Sequence, residues 1–186
     1  DSGAIIRPDL IQHETAFFHP YTGEYSKLIK ALVENKERNR QIVSDIVDMT
    51  HTGHEGTVLL VSDRVAHCEV LLRKLQTHHI ITELLTGRVL PGERGDIVRR
   101  VRDGEIQVLL STLQLISEGF DCPGLSTLVL ATPIRFEGRL MQVVGRIMRP
   151  AQGKKALVVD YVDVKIAVLH RSGFARAEMF SRWRHG

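Results

Sequence analysis

The chain has 186 residues, 43% of them hydrophobic, which suffices for one domain with a sizeable core. No apolar run approaches the roughly 18 residues that a membrane span needs, and Asp1-Ser2-Gly3 is neither a signal peptide nor an initiator start, so the sequence reads as a cytoplasmic piece of something longer, without a membrane partner. The net charge of +3 is too mild to establish a polyanion partner, yet arginine outnumbers lysine 18 to 7, and the planar guanidinium is the better bidentate partner for phosphate or carboxylate.

From Ile5 to His19, Pro8 interrupts Leu10, Ile11, Phe17 and Phe18. This predicts a linker with a short strand at about Thr15 to Phe18. Apolar residues at Leu28, Ile29, Leu32 and Val33, then Ile42, Val43, Ile46 and Val47, follow helical spacing around a charged break at Asn35 to Arg40. Two consecutive helices or one bent helix are implied between Tyr25 and Met49.

A repeating pattern follows. Thr57 to Val61 is a β-branched run ending at Ser62-Asp63-Arg64, and Val65 to Leu75 is an amphipathic helix. Ile80 to Leu85 ends at Thr86-Gly87 before a helix from Glu93 to Arg102, and Gln107 to Leu110 ends at Ser111-Thr112. Thr127 to Leu130 ends at Ala131-Thr132-Pro133, and Ala156 to Val159 ends at Asp160. Continuous apolar strands alternating with helices predict an α/β fold of three layers, a mainly parallel sheet flanked by helices. Ligands gather at the carboxyl ends of such strands, where all these polar tips would lie.

Two stretches concentrate chemistry on that edge. Between Ser111 and Pro123 a buried strand gives way to hydroxyls, then to Glu118-Gly119-Phe120-Asp121. Such a loop can offer N–H groups and hydroxyls to phosphate, with an acid such as Asp121 to accept from ribose hydroxyls; an ordinary strand-to-helix connection capped by Asp121 is the plain alternative. On a helix ending at Pro150, Gln142, Arg146 and Arg149 share one face, and Leu140, Val143, Val144, Ile147 and Met148 share the other. Two guanidinium forks then project from a helix with a buried back, beside Gly145, although a solvated stripe of surface ion pairs would show the same spacing.

Ser111-Thr112 with Glu118-Gly119-Phe120-Asp121-Cys122-Pro123, followed by Gln142 to Arg149 as Q-x-x-G-R-x-x-R, resembles motifs V and VI of superfamily 2 helicases in order and separation. Thr57 to Arg64 resembles the strand and loop of motif IV, and Thr86-Gly87 with Glu93-Arg94 the segment between. The bacterial, phage and XPB-like DNA helicases are the most similar branch. The resemblance implies a RecA-like lobe of the P-loop NTPase type over residues 25–170, with residues 1–24 linking it to an amino-terminal ATPase lobe and 171–186 as a basic aromatic tail. It implies that Arg149 and Arg146 act as arginine fingers on ATP, that Gln142 senses the nucleotide or the attacking water, and that Glu118, Gly119 and Asp121 approach the nucleotide. Ser62, Arg64, Gly87, Ser111 and Thr112 would lie on the nucleic-acid backbone, DNA favoured over RNA.

No G-x-x-x-x-G-K-[ST] loop or magnesium-binding acid pair is present. ATP and Mg2+ would therefore be held mainly by the other lobe, and this lobe alone is expected to be inactive. The alternative is a nucleic-acid-binding or interaction module that keeps the fold without meeting ATP. His51, His54, His67 with Cys68, and His78-His79 match no zinc spacing, so no metal site is assigned; Cys68 and Cys122 are expected to be packed thiols in a reducing compartment. Asp160 reads as a strand end and Asp163 as a helix cap. Arg99, Arg100 and Arg102 form either a phosphate track or a solvated face, and the aromatic residues near the carboxyl terminus are expected to pack on the lobe.

Overall fold

The buried β-branched runs assemble into one sheet in a computed structural model that describes residues 7–53, 55–118, 122–134, 141, 144–145, 148 and 155–185. Its strands are β1 (Asp9–Glu14), β2 (Thr57–Ser62), β3 (Thr82–Leu85), β4 (Val108–Thr112), β5 (Leu125–Leu130) and β6 (Leu157–Val162). They lie in the order β1-β6-β5-β2-β4-β3, and each pairing is parallel. β2 and β5 are buried at each residue because helices cover both faces, which is why they read as unbroken apolar runs.

The helices are α1 (Tyr25–Glu34), α2 (Lys36–His51), α3 (Val65–Thr77), α4 (Pro91–Arg102), α5 (Leu113–Ser117) and α6 (Ala167–His185). On one face Ile42, Val43 and Ile46 of α2 and Leu71 and Leu75 of α3 meet Val58, Leu60, Val108, Leu110 and Val159. On the other, Ile97 and Val101 of α4, Ile116 of α5 and Phe180 of α6 meet Leu59, Val61, Leu109, Leu128 and Val158. Each such side chain contributes about 1.5–3 kcal/mol of transfer free energy. Leu28 and Leu32 of α1 instead join Phe17, Ile166 and Leu169, which sets α1 beside the carboxyl edge of the sheet. The charged break is a helix boundary, since the Asn35 side chain caps α2 by accepting from Arg38 N at 2.8 Å.

Three local expectations are corrected. The first strand is Asp9–Glu14, and Thr15 to Phe18 has already left the sheet: Thr15 makes a last backbone bond to Val162, and Phe17 turns into the α1 cluster. An edge strand needs only its partner's ladder, so DLIQHE pairs with β6 without an apolar pattern of its own. Asp160 does not end β6 but lies buried within it, its Oδ2 accepting from Arg176 Nε at 2.8 Å and Gln12 Nε2 at 3.0 Å. Asp163 caps no helix, because α6 starts at Ala167 and the Asp163 carboxylate forms a fully buried ion pair with Arg38 at 2.8 Å.

α6 crosses the expected boundary at residue 170 as one helix. It approaches β6 closely at Gly173, where an added Cβ would stand 2.5 Å from Val162 Cγ1. Phe180 and Trp183 meet edge to face and pack on the lobe, whereas Phe174, expected to do the same, is 65% exposed. Arg99 is held by Asp96, Asp103 and Glu105, and Arg100 by Glu83 and Glu105, as a solvated ionic face demands. Cys68 and Cys122 are buried and share no disulfide, and burial pushes the Cys68 thiol up to about 11. Among the described residues no helix is long and apolar enough to cross a membrane, and no three His, Cys, Asp or Glu side chains converge as a metal site.

Candidate nucleic-acid interface

The carboxyl ends of β2, β3 and β4 open into a cleft of about 820 Å³. Its walls are Tyr25, Ser26 and Ile29 of α1, Asp63, Arg64 and Val65 after β2, Gly87 after β3, and Thr112 to Leu115 with Glu118 after β4. Arg64, Gly87, Thr112 and Glu118, far apart in sequence, thus share one concavity. Gly87 has no atom within 4 Å of where a Cβ would sit, so its backbone is open to an approaching ligand.

Ser62 and Ser111 stand beneath this cleft, not in it. Both are fully buried, and their hydroxyls face inward. Ser111 Oγ donates to Leu85 O at 2.8 Å, tying the ends of β4 and β3, while Ser62 Oγ lies 2.9 Å from His67 Nδ1. The loop after β2 is held at two amides: Asp63 N donates to Thr132 Oγ1 at 3.0 Å and Arg64 N to Ser62 Oγ at 3.2 Å. Partial burial raises the Asp63 carboxyl above the ordinary aspartate range, against the pull of Arg64.

Two residues that the sequence pattern passed over organise this edge. Arg38 donates through Nε and Nη2 to Asp163, which also takes the Thr15 hydroxyl, and through Nη1 to Ala131 O. One guanidinium thereby gathers the residues following β1, β5 and β6. Asn39 accepts from His67 Nε2 at 2.7 Å, which reaches the end of β2. Burial, and secondly Arg38, push the His67 pKa down to about 3, so the imidazole is neutral. The missed signal was positional: Arg38 and Asn39 precede Ile42 and Val43 by one helical turn and so extend the buried stripe of α2.

Of the apolar face expected around residue 145, two residues are described. Val144 and Met148 are buried in the core, Met148 N donates to Val144 O at 3.1 Å, and Gly145 is exposed. Gln142, Arg146 and Arg149 lie outside the described residues, as do Gly119 and Asp121.

The sequence matches the family described as the helicase conserved C-terminal domain over residues 29–151, most of the chain. This chain belongs to the superfamily 2 helicase C-terminal, RecA-like domains. Among solved structures the helicase lobe superposes on T4 UvsW with a TM-score of 0.69 at 16% identity, covering 87% of this chain and 36% of that one. S. cerevisiae Dbp5 bound to RNA and ADP BeF3 gives a TM-score of 0.62 at 19% identity, covering 77% and 36%. In sequence it is 23% identical to UvrABC system protein B of Thermotoga maritima over 189 aligned positions, 98% of this chain and 26% of that protein. The helicase lobe spans about a quarter of the length of the curated relatives it matches.

Proposed function

We propose that this lobe is the second motor lobe of an ATP-dependent nucleic-acid helicase or translocase, working in the cytoplasm against an amino-terminal RecA-like lobe of the same polypeptide. The observation that carries the proposal is the gathering of Arg64, Gly87, Thr112 and Glu118 in one cleft at the carboxyl edge. An exposed guanidinium, an unobstructed glycine backbone and a hydroxyl suit contact with a phosphate backbone, which needs no base recognition. Ser62 and Ser111, buried below, serve by holding those contacts in place. DNA is the favoured track, with RNA as the competitor in the binding test.

ATP would lie between the lobes. From this side Glu118 offers the cleft a carboxylate acceptor suited to ribose hydroxyls, and Gly119 and Asp121 continue the same loop. The sequence carries no phosphate loop, so the triphosphate and Mg2+ would be held mainly by the partner lobe. Arg146 and Arg149 are assigned as arginine fingers and Gln142 as the nucleotide sensor. When bound, the nucleotide supplies the driving force for closure; this chain's part is to place positive charge where negative charge develops.

Reconstitution with an amino-terminal lobe tests the assignment. Arg149→Ala should lower strand-stimulated ATPase by about 10³-fold or more while leaving oligonucleotide binding near wild type, and Arg64→Ala should weaken binding. Turnover by the isolated lobe that Arg149→Ala abolishes would overturn the division of labour. Loss of binding and turnover together in Arg149→Ala would favour a binding module without a finger.

A further inference from the structure

Ser62 is the last residue of β2, and its side chain, with those of His67 and Asn39, is buried at 0%, 2% and 3% exposure. No bulk water can replace their partners, so each donor must meet an acceptor within the protein. The donor directions then follow from one end. Asn39 Nδ2 donates to Val33 O at 2.9 Å, near the end of α1, which leaves Asn39 Oδ1 as an acceptor. His67 Nε2, 2.7 Å away, must carry the ring proton, and Nδ1 must accept. Ser62 Oγ therefore donates to Nδ1 across 2.9 Å, and its lone pair takes the Arg64 N–H at 3.2 Å. The donations all run one way, from the Arg64 amide in the loop that lines the cleft to the α1 carbonyl of Val33.

We infer that Asn39, His67 and Ser62 act as one positioning relay for Arg64, fixing its main chain so that its exposed guanidinium meets a phosphate backbone from a preset place. The inference rests on the strand-binding role proposed for the cleft. Its physical content is preorganisation: a cation whose backbone is already ordered loses less conformational freedom on binding. The neighbouring amide of Asp63 is fixed separately by Thr132 Oγ1, so the relay acts on Arg64 in particular. Relay residues touch no ligand; they work through Arg64 alone. A general contribution to folding would instead weaken every contact of the cleft.

That difference is measurable with the purified chain, a fluorescein-labelled oligothymidylate and its oligouridylate counterpart, each titrated at two salt concentrations. Arg64→Ala should weaken binding and flatten the salt dependence by about one phosphate contact. Ser62→Ala and Asn39→Ala should each weaken binding by about two- to tenfold, the worth of one hydrogen bond, with the same flattening. Ser62→Ala added to Arg64→Ala should cost nothing further, because both remove one interaction. Full additivity, or a Ser62→Ala that binds like wild type while Arg64→Ala does not, overturns the relay. Amide exchange read by NMR supplies the arm that does not depend on the strand: the Arg64 amide should exchange faster in Ser62→Ala, while those of Leu59 and Leu60 stay protected. An unchanged Arg64 amide overturns the relay by itself. If the amide responds but Arg64→Ala binds normally, the strand-binding role of Arg64 falls instead and the inference built on it falls too.

Discussion

At the scale of single residues, a neutral imidazole is buried behind the loop that lines the cleft. His67 is held neutral by burial, with Arg38 adding repulsion, and Asn39 and Ser62 use both ring nitrogens. Its folded pKa of about 3 lies below the ordinary 6.5, so between these values the unfolded chain binds a proton that the folded chain refuses. Stability from this group is fully present above pH 6.5 and is lost as the pH falls towards 3. Within that window the folding constant should fall about tenfold per pH unit from this residue alone. Urea titrations across the range should show the slope, and His67→Gln should flatten it; an identical slope in the variant would disprove the assignment. That Arg64 and Thr112 share the cleft was legible because each stands at or just beyond the carboxyl end of an apolar strand. Asn39 was not, because its function depends on a partner 28 residues away that no local pattern points to.

At the scale of elements, the strand-to-helix units were legible where both faces are buried, and least so at the edge. β2, β4 and β5 announce themselves as apolar runs. β1 has no such run because it is an edge strand, specified by the ladder of β6. α6 was read only as a basic aromatic tail, and what the sequence pattern did not show is that Arg176 is buried against Asp160 and that Gly173 allows the helix to approach β6. Gly173→Ala should cost about 1–3 kcal/mol by overpacking, read from the urea midpoint. Combined with Val162→Ala, which removes the two methyl carbons nearest the new Cβ, its cost should be less than additive. Strict additivity would mean that the contact is not the cause.

For the whole molecule, the two terminal regions complete one core. Removing residues 171–186 would strip Arg176 from the buried carboxylate of Asp160, take Phe180 out of the core and uncover its cluster around Val158. An unpaired buried charge and an open core together exceed the usual margin of stability. The truncated chain should therefore lose its cooperative urea transition by circular dichroism, and a transition as sharp as that of the full chain would show the helix to be dispensable. The parallel three-layer architecture followed from the alternation of elements. The gathering of cleft residues followed from the rule that loops at the carboxyl ends share one edge.

The pairing of β1 with β6 also bears on how the protein is made. Gln12 and Asp160, neighbours in the folded sheet, are separated by 148 residues of chain. On a ribosome β1 emerges well before β6 and finds no partner until β6 has been synthesised, since as an edge strand it has β6 as its single neighbour in the sheet. At about 5–20 residues per second, that wait lasts for many seconds, with Ile11 and the β1 backbone exposed. The sequence of this strand suits the delay: Gln12, His13 and Glu14 keep it polar while it waits, and its weak apolar pattern makes it a poor template for a neighbouring nascent chain.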